Sequence, residues 1–303
     1  ELVFEAEVDA NEDIGEMYKA DLVIACDGIN SKVRTRFEST YKPDIDERKC
    51  RFVWLGTRKL FDAFTFAIEE TEHGWFQAHA YQYDGDTSTF IVETPEPVWK
   101  AAGFETMTQE ESVAFCEKLF AKYLDGNPLM TNAKHLRGSA HWIKFPRVIC
   151  DQWVHWDRSA DGREVPYVLM GDAAHTAHFS IGSGTKLALE DAIELADTFE
   201  RVGHDVRGMK EVMTSYQATR SVEVLKIQNA ARNSTEWFEN VGRYTGMPIE
   251  QFAYSLLTRS QRISHENLRL RDAAWLEGYE AWLAGGKAAI PPMLTPFTLK
   301  GLT

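Results

Sequence analysis

The 303-residue sequence lacks several features that would place it in particular classes of protein. No apolar run approaches the roughly 20 residues of a membrane-spanning helix. The net charge of −13 disfavours a large nucleic-acid footprint and an anionic membrane surface as partners. The nine histidines show no metal-ligand spacing, so no metal site is expected. What remains is an ordinary globular composition, 44% apolar and 26% charged, with enough residues for two folded lobes.

Cysteine is also scarce and scattered. Neither a C-x-x-C pair nor a signal peptide is recognisable, and disulfide frameworks normally belong to secreted chains. We therefore expect reduced thiols in a cytoplasmic protein. The cysteines are Cys26, Cys50, Cys116 and Cys150.

The most informative stretch that is present runs from Tyr167 to Glu200. Its first residues, Tyr167 to Met170, form a short apolar run that stops at Gly171, as a buried strand does when it reaches a turn. From Leu187 onward, apolar residues recur at helical spacing. A strand, a loop and a helix are therefore predicted in that order, and the helix opens within Gly182-Ser183-Gly184-Thr185-Lys186.

This glycine-rich helix start is a candidate anion site. Exposed backbone N–H groups and the positive end of the helix dipole attract negative charge at such a position. Taken alone, however, a Gly-x-Gly before a helix is more typical of a tight turn. Asp172, directly after Gly171, adds a second feature, because its carboxylate can accept hydrogen bonds from sugar hydroxyls. A cofactor with a ribityl chain and a ring that becomes an anion on reduction needs both features: an acceptor for its hydroxyl groups and donors for its negative charge.

This order of features resembles the second FAD-binding motif of the single-component flavin monooxygenases that hydroxylate aromatic rings, the para-hydroxybenzoate hydroxylase-like family. The resemblance is carried by Gly171-Asp172-Ala173-Ala174-His175 and Leu189-Glu190-Asp191-Ala192. It implies that Asp172 holds the ribityl chain of FAD and that the helix start faces the pyrimidine edge of the isoalloxazine. Phe179 stands where many members have proline, which changes the floor of the substrate pocket and makes Phe179 a candidate substrate contact.

A second motif follows a predicted strand at Tyr18–Cys26. It reads Asp27-Gly28-Ile29-Asn30-Ser31-Lys32-Val33-Arg34. Asp-Gly after a strand is by itself often only a turn. The complete spacing resembles the D-G-x-x-S-x-V-R motif of the same family, which lies near the FAD pyrophosphate and the path of NAD(P)H. Asp27, Gly28 and Arg34 are therefore further cofactor-binding candidates.

A flavin fold of this type normally begins with a strand and a Gly-x-Gly-x-x-Gly loop that binds the pyrophosphate. No such loop precedes the strand-like Leu2–Val8, so we expect the chain to be a fragment. Its last residues, Pro291–Thr303, look like the start of an Old Yellow Enzyme-type FMN barrel. FMN would then be a cofactor only of a fused domain outside this chain, and a proline-rich linker with a frayed end is the alternative.

Between Lys49 and Thr94 the composition shifts toward aromatic and β-branched residues. Antiparallel strands are predicted at Arg51–Leu60, Phe64–Glu69, Trp75–Tyr83 and Ser88–Glu93. On the third of these, Gln77, His79 and Tyr81 alternate with apolar residues and share one face. That face is either exposed to solvent or, as in the substrate-covering sheet of the family, a wall of the substrate pocket.

The C-terminal part narrows the resemblance. A long amphipathic helix is predicted from Met209 to Asn233, and helical segments continue to Asp272. Together with the loop at 178–186, these segments resemble the monooxygenase part of the anthraniloyl-CoA and salicylyl-CoA hydroxylases. Two explanations fit the arginines of this region. They bind the phosphates of CoA, or they form ordinary ion pairs on the helix surface. They are Arg259, Arg262, Arg269 and Arg271.

The predicted fold is α/β, with a partial FAD-binding Rossmann-type (doubly wound) lobe, an inserted antiparallel substrate sheet and a C-terminal helical region. The expected segments are 1–48 for the first part of the FAD-binding lobe, 49–147 for the substrate-covering sheet, 148–205 for the returning part of the lobe, 206–290 for the C-terminal helices, and 291–303 for a linker and the start of an FMN barrel.

The resemblance implies an NAD(P)H- and FAD-dependent aromatic monooxygenase. In that family a nicotinamide cofactor reduces FAD, O₂ forms a C4a-hydroperoxide on the flavin, and the distal oxygen attacks an electron-rich ring. The expected substrate is an anthraniloyl-CoA or salicylyl-CoA thioester, and His178 is the candidate acid–base residue for the hydroxyl or amino group of the ring.

Two other functions stay open: hydroxylation of a free indole- or tryptophan-type aromatic, and flavin binding by a fragment without activity. The sequence has no W-x-W-x-I-P stretch, which disfavours a halogenase. The expected partners are a small aromatic molecule and O₂, and a homo-oligomer is left open.

Overall fold

The computed structural model describes residues 2–131, 141–203 and 208–285. The chain divides into two compact units, each built from two separate stretches. The first unit is Glu1–Glu47 with Pro146–Arg232, and the second is Arg48–Phe145 with the chain from Asn233 onward. The expected helical segment 206–290 is therefore shared between the two units, and the functions assigned to the segments stay predictions.

Strands and helices are interspersed along the described residues. The strands are β1 (Val23–Ala25), β2 (Pro43–Thr57), β3 (Thr65–Thr71), β4 (Gly74–Gln82), β5 (Ser88–Pro95), β6 (Leu129–Thr131), β7 (Ile143–Cys150), β8 (Val154–Arg158) and β9 (Glu164–Leu169). The helices are α1 (Ile14–Met17), α2 (Lys32–Arg36), α3 (Glu38–Tyr41), α4 (Glu96–Ala101), α5 (Gln109–Leu119), α6 (Ala121–Leu124), α7 (Gly184–Val202), α8 (Met209–Glu239), α9 (Ile249–Thr258), α10 (His265–Arg271) and α11 (Ala273–Leu283). Short 3₁₀ turns lie at Gly171–Ala173, Phe179–Ile181 and Val241–Arg243.

The first unit is built on a sheet in the order β1-β9-β8. β1 runs parallel to β9, with Val23 opposite Tyr167, and β8 runs antiparallel to β9. The hydroxyl of Tyr167 accepts a hydrogen bond from the Gly15 N–H at 2.9 Å, and the Tyr41 hydroxyl donates to the Tyr167 carbonyl at 2.9 Å. β9 is buried on both faces and its side chains are nearly all apolar, which confirms the buried strand predicted before Gly171.

The second unit contains an antiparallel sheet in the order β3-β4-β5-β2-β6. One face of β4 carries Phe76, Ala78 and Ala80 into a hydrophobic core that also contains Cys116 and Phe120. The opposite face is partly covered by an aromatic cluster formed by Trp237, Phe238 and Val241 with Phe66, Ile68 and Trp75. The predicted antiparallel strands are confirmed. β2 begins eight residues before the predicted start, and the ends of β3, β4 and β5 lie within two residues of those expected.

The last helices of the second unit form a smaller core of their own. Tyr254 of α9 stacks on Tyr279 of α11, with ring centroids 4.4 Å apart and planes 8° apart. Trp275 continues the stack at 5.8 Å from Tyr279. The polar edge of this core is an ion pair between Arg269 and Glu280 at 2.6 Å.

Several predicted elements differ from the structure. The strand predicted at Leu2–Val8 is wrong: these residues are irregular and exposed, and a β-pattern without a partner strand has little stability. A capping box at Thr108 begins α5, and the predicted helix at 209–233 continues to Glu239. The barrel-like tail at Pro291–Thr303 lies outside the described residues. Across the described ranges, no helix is both long and apolar enough to cross a membrane.

Candidate functional site

The turn after β9 has a backbone that requires glycine. Gly171 has φ = +60°, in the left-handed region that other residues avoid. A Cβ at this position would lie 3.1 Å from the Cβ of Ala188 on α7, which is closer than ordinary contact. Gly171 therefore permits both the sharp turn and the close approach of α7.

A buried carboxylate holds this turn against α7. The Gly171 N–H donates to Asp191 Oδ2 at 3.0 Å, and His175 Nε2 lies 2.7 Å from the same oxygen. Arg220 Nε donates to Asp191 Oδ1 at 2.8 Å. Burial alone would raise the pKa of Asp191, but the hydrogen bonds and positive charge of its partners outweigh burial and lower it. Asp191 therefore stays ionised and fixes the turn through three contacts.

Arg34 holds the turn from the side of the second motif. Its guanidinium donates to the carbonyls of Ala173 at 2.8 Å and Ile29 at 2.5 Å, and the side chain is buried. Arg34 thus joins the Asp-Gly loop to the Gly-Asp turn through main-chain oxygens. The structure places this predicted cofactor contact inside the protein, where it connects two loops.

The Asp-Gly motif itself folds as a capped turn between β1 and α2. Asp27 Oδ2 accepts hydrogen bonds from the N–H groups of Lys32 at 2.8 Å and Val33 at 3.2 Å. Gly28 has φ = +77°, and the space where a Cβ would lie is open. One carboxylate oxygen of Asp27 is therefore engaged in capping, and cofactor contact by Asp27 and Gly28 stays a prediction.

Asp172 points away from this internal network. It is exposed, and no hydrogen-bond donor to its carboxylate lies within the described residues. Partial desolvation raises the pKa of Asp172, while nearby His175 acts in the opposite direction. Since the Gly171 N–H and the Ala173 carbonyl are both hydrogen-bonded, the backbone at Asp172 is anchored on either side.

The start of α7 offers main-chain donors. Its first intrahelical bond runs from Leu187 N–H to the Ser183 carbonyl at 3.0 Å, so the preceding N–H groups have no acceptor within the helix. No side chain among the described residues caps this end, and Gly182 has φ = +61° with open space beside it. Thr185 and Lys186 are exposed, and Lys186 forms an ion pair with Glu190. The end of a 19-residue helix is thus left open to an anion.

These residues fit FAD in one lobe of the chain. The Asp172 carboxylate is an acceptor of the kind that hydroxyl groups need, and the amides of Gly184 and Thr185 are donors of the kind that an anionic ring edge needs. Contact of these residues with FAD stays a prediction. Gly28 and Gly182 leave the backbone free of side chains where a ligand must approach it closely. All of these residues belong to the first unit, as do Asp27 and Arg34.

His178 precedes this helix start and is buried. Its Nδ1 accepts a hydrogen bond from the Ser180 N–H at 3.2 Å, which places the proton of a neutral ring on Nε2. The ring lies against Phe179, with centroids 4.0 Å apart. The structure therefore fixes the orientation of His178, and its chemical role stays a prediction.

The candidate substrate residues of β4 lie in the second unit. Gln77 and His79 are 2% and 0% exposed, so the alternative that they face solvent is wrong. Tyr81 is half-buried and stacks on Phe64 at 5.1 Å. Sequence reasoning missed Glu93 on β5, although an acidic residue inside the apolar run of a central strand was a visible signal.

The arginines of the C-terminal helices have different surroundings. Arg259 is partly buried over the rings of Phe66 and Phe238, and burial lowers its pKa to about 10. Arg269 pairs with Glu266 and Glu280, which confirms the ion-pair explanation for this residue. Arg262 is exposed and forms no ion pair within the described residues. Of these three arginines, only Arg262 is both exposed and without an ion pair in the described part of the chain, as a phosphate-binding cation is expected to be.

Comparison with known proteins identifies the family of the chain. The family model described as FAD binding domain matches residues 5–230. Salicyloyl-CoA 5-hydroxylase from Streptomyces sp is 38% identical over 295 residues, which cover 94% of this chain and 53% of that protein. The 3-hydroxy-4-methyl-anthranilyl-[aryl-carrier protein] 5-monooxygenase of Streptosporangium sibiricum is 33% identical, with 82% of this chain and 61% of that protein covered.

Solved structures show the same fold. The tetrameric form of 2-methyl-3-hydroxypyridine-5-carboxylic acid oxygenase superposes with a TM-score of 0.50 at 16% identity, covering 84% of this chain and 59% of that one. The chain thus spans a little over half the length of the relatives described here. Since the FAD binding domain model covers most of its residues, the chain belongs to that family, and its resemblance to the FAD-dependent aromatic monooxygenases is confirmed.

Proposed function

We propose that the chain is part of a flavin monooxygenase that hydroxylates an activated aromatic ring carried as an acyl thioester of the anthraniloyl-CoA or salicylyl-CoA type. The observation that carries the proposal is the anchored Gly171–Asp172 turn beside the open start of α7. The two relatives named above support the substrate class, because their names specify a CoA thioester and a carrier-protein-bound ring.

Asp172 would bind the ribityl hydroxyls of FAD, and the amides at Gly184 and Thr185 would bind the pyrimidine edge. A carboxylate that accepts hydrogen bonds from hydroxyl groups provides strong, directional contacts. When bound and reduced by NAD(P)H, FAD supplies the activated oxygen for the ring. The helix dipole at Gly184 stabilises the negative charge that accompanies reduction.

His178 would act on the substituent of the ring. Its Nδ1 is occupied by the Ser180 N–H, so Nε2 is the atom that carries and exchanges a proton. An imidazole is suited to exchange a proton with a phenol or aniline group during ring oxidation. Phe179, whose ring lies against the imidazole of His178, would restrict the motion of that imidazole and provide an apolar contact for the substrate.

Recognition of the CoA portion would need a cation at the surface. Arg262 is exposed without an ion pair in the described part of the chain, unlike Arg269. A phosphate binds such an unpaired guanidinium through two hydrogen bonds. Arg262 is therefore the residue we assign to the phosphates of the thioester.

The experiment is to add FAD to the purified chain and to measure NAD(P)H consumption and ring hydroxylation with each ligand. Anthraniloyl-CoA and salicylyl-CoA should stimulate both, and the free acids should not. Stimulation by a free acid or by indole instead would favour the free-aromatic alternative. Bound FAD without turnover of any ligand would favour a flavin-binding fragment without activity.

A further inference from the structure

Three polar side chains are buried together on one face of the sheet in the second unit. Gln77 Nε2 donates to Glu93 Oε2 at 3.0 Å, and His79 Nε2 lies 3.0 Å from the same oxygen. The exposed fractions of Gln77, His79 and Glu93 are 2%, 0% and 1%. A carboxylate removed from water in this way is retained only where its partners satisfy it.

The register of the sheet creates this cluster. Gln77 on β4 lies opposite Glu93 on β5, and His79 lies opposite Ile91. Because side chains alternate between faces, Gln77, His79 and Glu93 share one face, where opposite and diagonal neighbours are in contact. The strands therefore fix all three groups on regular, buried backbone.

Two aromatic rings pack against His79 in this cluster. The ring of His79 lies 4.7 Å from that of Phe238 and 5.1 Å from that of Phe66, measured between centroids. Further along β4, the rings of Tyr81 and Phe64 are stacked. This face combines aromatic surface with a small hydrogen-bonding centre, which is the composition of sites for small aromatic ligands.

Gln77 is oriented by its partner. Its Oε1 is buried, and no donor to it lies within the described residues. Rotating the Gln77 amide by half a turn would not give Oε1 a hydrogen bond, because Oε1 would then face the carboxylate oxygen of Glu93, which is also an acceptor. The hydrogen bond to Glu93 therefore directs Gln77 Oε1 away from Glu93. A buried acceptor without a donor destabilises the protein, and a ligand that supplies the donor removes this cost.

We infer that Gln77 Oε1 accepts a hydrogen bond from an N–H or O–H group attached directly to the aromatic ring of the substrate. Gln77 is then a specificity residue, and Glu93 with His79 positions it. The inference rests on the proposed function, since it concerns the ring that is hydroxylated. It adds the side chain that recognises the amino or hydroxyl group of such a ring.

The test is a binding measurement on the FAD-loaded chain, without NAD(P)H, by calorimetry. Anthraniloyl-CoA carries the ring N–H donor, and benzoyl-CoA lacks it. We expect the chain to prefer anthraniloyl-CoA by about 5- to 150-fold, the usual range for one buried hydrogen bond. In Gln77→Met, which keeps the length of the side chain, the preference should fall to about twofold or less.

Gln82→Met is the matched control, because Gln82 lies on the same strand but is exposed. It should leave the preference unchanged. Glu93→Gln should lower the preference while FAD stays bound, since a neutral amide no longer fixes the orientation of Gln77. A loss of general stability would weaken both thioesters equally and leave their ratio unaltered.

An unaltered preference in Gln77→Met would overturn the inference, as would the absence of any preference in the unmodified chain. The unmodified chain would show no preference, for example, if a buried water donated a hydrogen bond to Gln77 Oε1. Because binding is measured without turnover, these outcomes are separate from the proposed function. A chain that prefers anthraniloyl-CoA but fails to hydroxylate it would support the inference and contradict the proposed function.

Discussion

At the scale of single residues, Asp191 determines the geometry on the cofactor side. Its carboxylate accepts the Gly171 N–H and contacts both His175 and Arg220, and it is fully buried. It also comes from α7, the helix whose start is left open to an anion. One residue therefore connects the turn that presents Asp172 with the helix that supplies the amides.

Replacing Asp191 with asparagine should lower the free energy of unfolding by about 3 kcal/mol, because Arg220 would stay charged and buried with only the more distant carboxylate of Glu190, at 3.5 Å, as a partner. Denaturant unfolding measures this difference. Asp197→Asn, on the exposed side of the same helix, is the control and should change stability by about 0.5 kcal/mol or less. Equal, small effects in both variants would contradict the role of Asp191.

The same variant should alter the dependence of stability on pH. The pKa of Asp191 is lowered in the folded chain, whereas an unfolded aspartate titrates near about 3.9. Its ionised form therefore stabilises the fold above that pH, and the contribution is lost as the pH falls toward the folded pKa. The difference between the unmodified chain and Asp191→Asn should shrink in acid. A constant difference down to about pH 3 would show that Asp191 is not the group that titrates.

At the scale of elements, the junction of β9 and α7 forms the candidate cofactor site. Gly171→Ala should reduce both stability and FAD affinity, because alanine disfavours φ = +60° and its Cβ would press on Ala188. Gly162→Ala is a control for backbone strain alone, since Gly162 has φ = +86° with open space around it. Thermal unfolding and FAD titration would compare the two. Equal losses of FAD affinity would mean that the close approach of α7 is unimportant.

Much of this junction was predictable from the sequence because its signals are local. An apolar run ending at Gly171, the acidic residue after it and a helical period from Leu187 all lie within one continuous stretch, Tyr167 to Glu200. The strand at Leu2–Val8 was predicted wrongly because its signal is also local. An apolar, strand-like pattern does not show whether a partner strand exists.

The remaining parts of the sites depend on contacts between distant residues. Arg220 meets Asp191 across 29 positions, and Arg34 reaches the Ala173 carbonyl across 139. A motif indicates that an arginine is present, but not that its guanidinium turns inward to main-chain oxygens. Glu93 was missed because its pairing with Gln77 follows from the register of two strands, which the sequence pattern leaves undetermined.

At the scale of the whole molecule, different units carry different parts of the proposed chemistry. The first unit contains the candidate FAD residues, and the second contains the sheet with Gln77, His79 and Glu93. The chain as a whole carries a net charge of −13, so binding of an anionic cofactor has to depend on local donors at a helix end rather than on overall attraction.

The most direct test of the central claim is a titration of FAD into the purified chain, followed by the fluorescence of the flavin. The account predicts saturable binding that Asp172→Ala weakens by about tenfold or more, as expected for the loss of hydrogen bonds to a charged group. Asp197→Ala should bind FAD as the unmodified chain does. Failure to bind FAD, or equal affinity in the Asp172→Ala variant, would contradict the assignment of the Gly171–Asp172 turn as the flavin site.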